Sequence, residues 1–210
     1  MAETLTAPPD AVSELMRRLG EDPIALFQDW LTEATHSEAK EPTAMSLATV
    51  DERGHPDVRM VLLKGVDERG FVFYTNLESA KARALRDEPR VALCFYWAET
   101  DRQVRVRGRV EPVSNAEADA YFASRPRGSQ ISAWASKQSR RMSSYFELEK
   151  AVAKTALRFG LADVPRPPFW SGFRVVPAQM EFWTQKPFRQ HRRILYTRYV
   201  NGWRKQWLYP

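Results

Sequence analysis

The sequence has one cysteine, Cys94, and three histidines among its 210 residues. A single cysteine excludes a disulfide framework and a cysteine-based metal site within one chain. Because Cys94 lies in an apolar run, we expect it to be a small buried hydrophobic residue. No two histidines have the spacing of metal ligands, so we expect no zinc or iron site.

Sequence motifs of several common classes of protein are also missing. The chain contains neither Gly-x-Gly-x-x-Gly nor a P-loop, which removes the usual dinucleotide and nucleoside triphosphate sites. The Gly-x-Ser-x-Gly motif of the α/β-hydrolases is absent. The first residues lack the basic and apolar regions of a secretory signal, and no apolar run is long enough to cross a membrane. We therefore expect a cytoplasmic protein without a membrane partner.

The charge is moderately basic, with 32 Lys and Arg against 26 Asp and Glu and a net charge of +6. A basic surface and seven tryptophans are compatible with a nucleic-acid-binding module. However, acidic residues are interleaved throughout, and there is no long basic run. An anionic small molecule explains the arginines equally well and is the interpretation we favour over nucleic acid.

Alternation of turns and β-rich runs predicts an antiparallel barrel or sheet with packed helices, a mainly β fold of the α+β class. Residues 1–20 are expected to form a flexible arm and residues 21–210 a single domain. The turns Asp51–Gly54 and Asp67–Gly70 share the sequence Asp-Glu-Arg-Gly, and Asn201-Gly202 is typical of a hairpin. Strands are predicted over 44–50, 58–66, 71–75, 90–97, 103–110, 173–184, 194–200 and 203–208, and helices over 10–19, from 22, and over 79–87, 114–124, 129–135 and 143–159.

Three of the helices have recognisable starts. Asp22 and Ser79 are expected to be N-caps, and Ser114 and Glu117 are expected to form a capping box. In the helix from 22, apolar residues at 27, 30, 31 and 34 have helical spacing, so one face should pack on the core.

Two segments carry cations where phosphate could bind. Arg59 and Lys64 have odd separation on one predicted strand and should point to opposite faces. A single pocket would then need a bulge or twist, unless two adjacent ligands share the strand. Lys81 lies at the start of a predicted helix, where free N–H groups favour phosphate. Each of these residues could instead be an ordinary surface cation.

Two further segments are candidates for substrate binding and catalysis. Tyr121, Arg125 and Ser129 are four residues apart, and a turn at Pro126 could gather them around a second phosphate. The alternative is a solvated helix end. Residues 189, 191 and 193 are Arg, His and Arg, which would share one face of a strand. That face could be catalytic, or it could be a basic strand facing solvent.

From about Asp22 onward the chain resembles the pyridoxine 5′-phosphate oxidases. The resemblance is carried by the runs Phe169–Arg174 and Glu181–Trp183, followed by Arg189-x-His191. It implies an FMN-binding split β barrel, and a homodimer whose two FMN sites are built across the subunit interface. One chain alone would then hold half of a site. The implied reaction oxidises pyridoxine or pyridoxamine 5′-phosphate to pyridoxal 5′-phosphate by hydride transfer to FMN, with dioxygen giving hydrogen peroxide.

The resemblance also assigns site residues. The implied FMN-binding positions are Arg59, Lys64, Tyr74, Thr75, Lys81, Gln103, Gln138, Ser139, Trp183 and Arg193. The implied substrate-binding positions are Lys64, Tyr121, Arg125, Ser129, Arg189 and His191, of which Arg189 and His191 are also expected to be catalytic. The chain departs from the family at Ser79-Ala80-Lys81, where many members have Ser-Arg-Lys. The missing cation predicts weaker FMN binding than in a relative with arginine.

Alternatives with the same fold differ in their substrate. A flavin oxidase of phenazine biosynthesis or a general flavin reductase would act on unphosphorylated substrates. Such an enzyme has no need for the combination of Lys64, Tyr121, Arg125 and Ser129, so the four together favour a phosphorylated substrate. A carrier of vitamin B6 phosphate would bind the same ligand without consuming oxygen.

Overall fold

The computed structural model describes residues 22–37, 40–200 and 202–210. The predicted arm with its helix over 10–19, and residue 201 of the predicted hairpin turn, lie outside the described residues. The strands are β1 Ala44–Val50, β2 Pro56–Leu62, β3 Gly65–Asp67, β4 Gly70–Asn76, β5 Arg90–Trp97, β6 Arg102–Pro112, β7 Trp170–Thr184, β8 Arg192–Tyr199 and β9 Gly202–Leu208. The helices are α1 Pro23–His36, α2 Ala80–Asp87, α3 Asn115–Ser124, α4 Arg127–Ala135 and α5 Phe146–Phe159, with short 3-10 turns at Ala98–Thr100 and Pro187–Arg189.

The nine strands form one antiparallel sheet in the order β2-β1-β5-β6-β7-β4-β3, and β8 and β9 continue from β7. The long strand β7 pairs with different strands along its length. Its first part, Trp170–Val175, pairs with β4, and its last part, Gln179–Thr184, pairs with β8. Both parts also pair with β6. The sheet therefore curls around a core, as predicted for a mainly β fold with packed helices.

The core is aromatic and is closed by α1. Phe27 is fully buried, and its ring lies 4.8 Å from the rings of both Phe71 and Phe95. The predicted start of α1 is confirmed, because the Asp22 side chain caps the helix by accepting from the Ile24 N–H at 2.8 Å. Phe27 and Ala34 of α1 are buried in this core, and Trp30 and Leu31 pack against it, as the helical spacing of the apolar residues in this segment predicts.

Two N-terminal caps fix where the helices that border the candidate site begin. Ser79 caps α2 as expected, because its hydroxyl accepts from the Ala82 N–H at 3.3 Å. The predicted capping box of α3 is present, with Ser114 and Glu117 bonding each other's backbone N–H. The buried side chain of Arg174 then ties Glu117 to the sheet at 2.8 Å.

The expectation of one strand over 58–66 is wrong. The chain breaks there because consecutive backbone donors bind different segments: Leu63 N–H donates to the Thr43 carbonyl at 2.9 Å, and Lys64 N–H donates to the Val72 carbonyl at 2.8 Å. β2 therefore pairs with β1, whereas β3 pairs with β4. The argument from strand alternation about Arg59 and Lys64 no longer applies.

Cys94 is half-buried, whereas the sequence predicts a buried residue. On β5, Val91, Leu93 and Phe95 face the core, and Cys94 lies on the opposite face of the sheet. Burial nevertheless raises the pKa of its thiol.

Candidate functional site

A cavity of about 530 Å³ lies between the sheet and the helices α3 and α4. One end of it lies at Lys81 near the start of α2, and another wall carries aromatic rings. Many of the predicted site residues line it, namely Lys64, Tyr74, Thr75, Lys81, Tyr121, Arg125, Ser129 and Gln138. These residues come from well-separated parts of the sequence and meet here because β4 and β7 pair beneath α3 and α4.

The start of α2 gathers hydrogen-bonding groups around one ammonium group. Lys81 Nζ donates to Gln138 Oε1 at 2.8 Å and to Thr75 Oγ1 at 3.2 Å. Burial, followed by the charge of Arg59, lowers the pKa of Lys81. A helix N-terminus with a partly desolvated cation is suited to a phosphate group, which would restore the favoured charged state of the lysine.

Two other predicted residues support this end of the site without lining the cavity. Ser139 has a positive φ of 68°, and its hydroxyl accepts from the Ala80 N–H at 3.1 Å. Arg59 is held on the sheet, where it donates to the Leu47 carbonyl at 3.0 Å and pairs with Asp57. The two residues therefore fix the loop and the positive charge around the start of α2.

The opposite wall is a group of three nearly parallel aromatic rings. Tyr74 lies 4.0 Å from Tyr121, with 12° between the planes, and 5.4 Å from Trp170, with 3° between the planes. Tyr121 and Trp170 are 6.2 Å apart, so the three ring centroids form a triangle. Gly172 permits this arrangement, because a Cβ at that position would lie 2.7 Å from Tyr74 Cδ1. Trp170 was not among the predicted site residues, although the run 169–174 that carries the resemblance contains it.

Arg125 is the strongest indication of an anionic ligand. Its guanidinium lies over the Trp170 ring at 4.8 Å. Its Nη1 atom is buried and has no hydrogen-bond partner among the described residues. Burial lowers the pKa of Arg125. A buried donor without a partner is costly, so a bound anion would stabilise it.

The remaining predicted residues form a second group on another part of the sheet. Gln103, Trp183 and Arg193 lie directly across from one another on β6, β7 and β8. The His191 ring lies 4.8 Å from the Trp183 ring. Neither these residues nor Arg189 line the 530 Å³ cavity. One chain thus separates the predicted site residues into two groups.

The prediction that residues 189, 191 and 193 share one strand face is wrong. Arg189 is exposed in the 3-10 turn that follows Pro187, and its φ is 59°. His191 precedes β8, which begins at Arg192. The positive φ angles of Phe188 (57°) and Arg189 (59°) turn the backbone out of the extended conformation, so the strand begins only at Arg192.

The described residues contain no group of three or more His, Cys, Asp or Glu side chains that could hold a metal ion. Within the same part of the chain, no helix is long and apolar enough to cross a membrane. The cavity is lined by cationic, amide and hydroxyl side chains and by nearly parallel aromatic rings.

Two family models match the chain. The first, described as pyridoxamine 5′-phosphate oxidase, matches residues 31–159. The second, described as the pyridoxine 5′-phosphate oxidase C-terminal dimerisation region, matches residues 170–210. Of the second group, Trp183, His191 and Arg193 lie within that dimerisation region, whereas Gln103 lies within the first match.

Similar proteins include a pyridoxine/pyridoxamine 5′-phosphate oxidase of Maricaulis maris, 61% identical over 90% of this chain and 86% of that protein. The enzyme of the same name from Brucella canis is 56% identical over 90% of this chain and 94% of its own length. Both relatives are covered over most of their length.

Two solved structures have a similar fold. PhzG of Burkholderia lata, in complex with tetrahydrophenazine-1-carboxylic acid, has a TM-score of 0.87 at 31% identity and covers 100% of both chains. A pyridoxamine 5′-phosphate oxidase-related FMN-binding protein of Nostoc punctiforme has a TM-score of 0.71 at 19% identity, covering 90% of this chain and 98% of that chain. These likenesses confirm the predicted split β barrel.

Proposed function

The chain belongs to the pyridoxamine 5′-phosphate oxidase family, and we propose that it oxidises pyridoxine and pyridoxamine 5′-phosphate to pyridoxal 5′-phosphate. FMN is the cofactor, and dioxygen is the electron acceptor that gives hydrogen peroxide. The observation that carries the proposal is the buried, unpaired Nη1 of Arg125 in the cavity. It supports a ligand that brings an anion to the wall formed by Tyr121 and Trp170.

The substrate phosphate is assigned to Lys64, Tyr121, Arg125 and Ser129, all of which line the cavity. Two cations and two hydroxyl groups suit a phosphate monoester, which has three acceptor oxygens and nearly two negative charges at neutral pH. Fixing the phosphate at one end of the cavity orients the ring at the other end. The contribution of these four residues to the rate is therefore one of positioning.

The residues around the start of α2 fit the phosphate of FMN. Lys81, Thr75 and Gln138 already bond one another there, and Ser139 bonds the first residue of the helix. When bound, FMN supplies the acceptor for the substrate hydride. The protein supplies the phosphate site, the orientation of the two rings and the proton-handling groups.

His191 is assigned to proton handling near the substrate ring. Its Nδ1 accepts from the Lys186 backbone N–H at 3.2 Å. A neutral imidazole whose Nδ1 accepts must carry its proton on Nε2, so His191 can present an N–H donor on its other side. Arg189 is exposed beside it and is assigned to the same substrate group.

The separation of the site residues into two groups supports a homodimer with composite sites. Lys64, Lys81 and Arg125 belong to the cavity, whereas Trp183 and Arg193 belong to the matched dimerisation region. In a twofold symmetric dimer, each site would combine the cavity group of one chain with the second group of its partner. Two identical sites would then form.

A second candidate is a split-barrel oxidase of the phenazine type, because PhzG shares this fold over its whole length. A carboxylate would also pair with Arg125, so the preference for a phosphorylated substrate rests on Lys64, Tyr121, Arg125 and Ser129 together, since two cations and two hydroxyl groups suit a phosphate monoester. The Maricaulis and Brucella relatives, at 61% and 56% identity, are also more similar in sequence than PhzG, at 31%.

The reaction is tested by anaerobic absorbance spectra of the FMN-reconstituted protein. Pyridoxine 5′-phosphate should bleach the yellow band, and air should restore it. Unphosphorylated pyridoxine is the matched control and should bleach the band far more slowly at equal concentration. Equal bleaching by the two compounds would refute the phosphate assignment. Flavin binding without bleaching would favour the phenazine-type reaction, and no flavin binding would refute both.

The composite site is tested by mixing two inactive variants. Arg125→Met removes a cavity residue, and Arg193→Met removes a residue of the second group. A heterodimer of the two contains one site built from unchanged residues, so statistical mixing should restore about a quarter of wild-type activity. Each variant alone should remain inactive. If the mixture also stays inactive while heterodimers form, each site lies within one chain.

A further inference from the structure

Glu181 is a buried carboxylate beside the second group of site residues. Its side chain is only 9% exposed. It lies on β7 two positions before Trp183 and therefore on the same face of the strand. The neighbouring residues Met180 and Phe182 point into the core, where they are almost completely buried. The carboxylate thus belongs to the outer face of the sheet, next to the row formed by Gln103, Trp183 and Arg193.

The carboxylate of Glu181 joins two arginines from the adjacent strands. Its Oε1 accepts from Arg193 Nε at 2.9 Å, and its Oε2 pairs with Arg105 Nη2. Arg105 is directly opposite Glu181 on β6, whereas Arg193 lies diagonally on β8. Among the described residues, the Arg105 side chain has no hydrogen-bond partner other than Glu181, and its Nε is buried without one.

The guanidinium of Arg193 is fixed at two of its three nitrogens. Nε donates to Glu181, and Nη1 donates to the Tyr209 carbonyl at 2.8 Å. The third nitrogen, Nη2, bonds no described residue. A planar guanidinium held at two corners has its remaining donor in a defined direction. Arg193 is therefore oriented before any ligand binds.

A contribution to folding stability alone does not account for the carboxylate. Two arginines share one buried carboxylate. The desolvation free energy of burying such a group is about as large as the stabilisation that its ion pairs provide. An apolar side chain paired with apolar neighbours would fill the same space without that cost. What the carboxylate adds is a fixed direction for Arg193.

We propose that Glu181 is a positioning residue that holds the Arg193 guanidinium in the orientation in which Nη2 binds the cofactor. The proposal rests on the proposed function, which assigns Arg193 to FMN. Glu181 acts through Arg193 and does not itself contact the cofactor. Arg105 holds the second carboxylate oxygen, so that the first faces Arg193.

Removing the carboxylate has two opposing effects. The site becomes more positive, which would tighten an anionic cofactor. The Arg193 side chain also loses its anchor and is repelled by Arg105, which would weaken binding. If Glu181 is a positioning residue, the second effect is the larger one, because a hydrogen bond in fixed geometry is lost next to the ligand.

The experiment is a double-mutant cycle on the FMN dissociation constant, measured by quenching of flavin fluorescence on the full chain. Glu181→Gln should weaken FMN binding about tenfold. In the Arg193→Met background the same change should have less than about a twofold effect. Glu33→Gln, which breaks the more exposed pair with Arg102, is the matched control and should leave the dissociation constant unchanged.

The outcomes separate this inference from the proposed function. Unchanged or tighter FMN binding in Glu181→Gln, while Arg193→Met weakens it, overturns the positioning role and leaves the function intact. Equal weakening in both backgrounds also overturns it, because Glu181 would then act without Arg193. FMN affinity unaffected by Arg193→Met removes the premise of the inference. Failure of the wild-type protein to bind FMN refutes the proposed function itself.

Arg193→Lys keeps the inference testable if Glu181→Gln does not fold. Lysine retains the positive charge but lacks the Nε donor that Glu181 holds. Positioning predicts that Arg193→Lys binds FMN nearly as weakly as Arg193→Met. Affinity close to that of the wild type would show that charge alone is sufficient, and the inference would be wrong.

Discussion

The rings of Tyr74 and Tyr121 stack face to face, with centroids 4.0 Å apart and planes 12° apart. Tyr74 comes from β4 and Tyr121 from α3, so the stack joins the sheet to a helix. By resemblance to the family, we assign Tyr74 to FMN and Tyr121 to the substrate. The two proposed ligand sites would then share one wall, and a change in either ring should affect both ligands.

Tyr121→Leu and Tyr121→Phe separate the ring from its hydroxyl group. Phenylalanine keeps the stack on Tyr74 and loses only the contact with the substrate phosphate, so we expect a raised KM with unchanged FMN affinity. Leucine also loses the ring pair, which is worth about 0.5–1.5 kcal/mol. Tyr121→Leu should therefore weaken FMN binding as well, measured by flavin fluorescence. Identical FMN affinities in the two variants would contradict a shared wall.

Ala80→Arg restores the cation that many family members have before the lysine. Ala80 is exposed at the first residue of α2, and its N–H bonds Ser139 Oγ. A charge-assisted bond to the FMN phosphate should tighten binding about tenfold, and the gain should shrink at high ionic strength. Ala80→Gln controls for side-chain length without charge. An FMN affinity of Ala80→Arg equal to that of the wild type would count against the prediction.

Arg174→Met should be strongly destabilising. The buried guanidinium pairs with Asp67 at 2.7 Å and with Glu117 at 2.8 Å. Removing it takes away two charge-assisted hydrogen bonds, while Arg69 still pairs with both carboxylates, so the free energy of unfolding should fall by about 1.5–3 kcal/mol. Arg69→Met is the matched control, because Arg69 pairs with the same two carboxylates but is 57% exposed. Its cost should stay below about 1 kcal/mol.

The Arg174 comparison requires urea unfolding at one protomer concentration, since a dimer's apparent stability depends on concentration. Similar midpoints for Arg174→Met and Arg69→Met would show that burial does not strengthen the Arg174 contacts. A lower midpoint for Arg69→Met than for Arg174→Met would reverse the expected order.

Glu181 should contribute to the loss of stability in acid. Burial acts to raise its pKa, but the bonds from Arg193 and Arg105 outweigh burial, so the pKa lies below its ordinary value of 4.5. The folded state then binds fewer protons than the unfolded state between these two values. The contribution of Glu181 is complete above 4.5 and disappears as the pH falls through the folded pKa.

Urea unfolding of the wild type and Glu181→Gln over a range of pH tests this dependence. The difference in their free energies of unfolding should be constant near neutral pH and shrink in acid. A difference that does not change between about pH 6 and pH 3 would show that Glu181 titrates alike in the folded and unfolded states.

The sequence predicts structure well where the deciding interactions are local. The Asp22 cap, the Ser79 cap and the capping box at Ser114 were all predicted and are present. Each of these depends on a side chain bonding a backbone group within three residues. The break between β2 and β3 was missed, because it depends on the carbonyls of Thr43 and Val72.

The sequence alone determined the mainly β class, the helix starts and, through resemblance, the family and the identities of the candidate residues. Only the tertiary structure decided which of those residues meet. It placed Lys81 and Arg125 on one cavity, Trp183 and Arg193 on another part of the sheet, and Glu181 against Arg193. The reason is that periodicity and caps follow from neighbours in the chain, whereas a site depends on strand pairing between residues far apart in it.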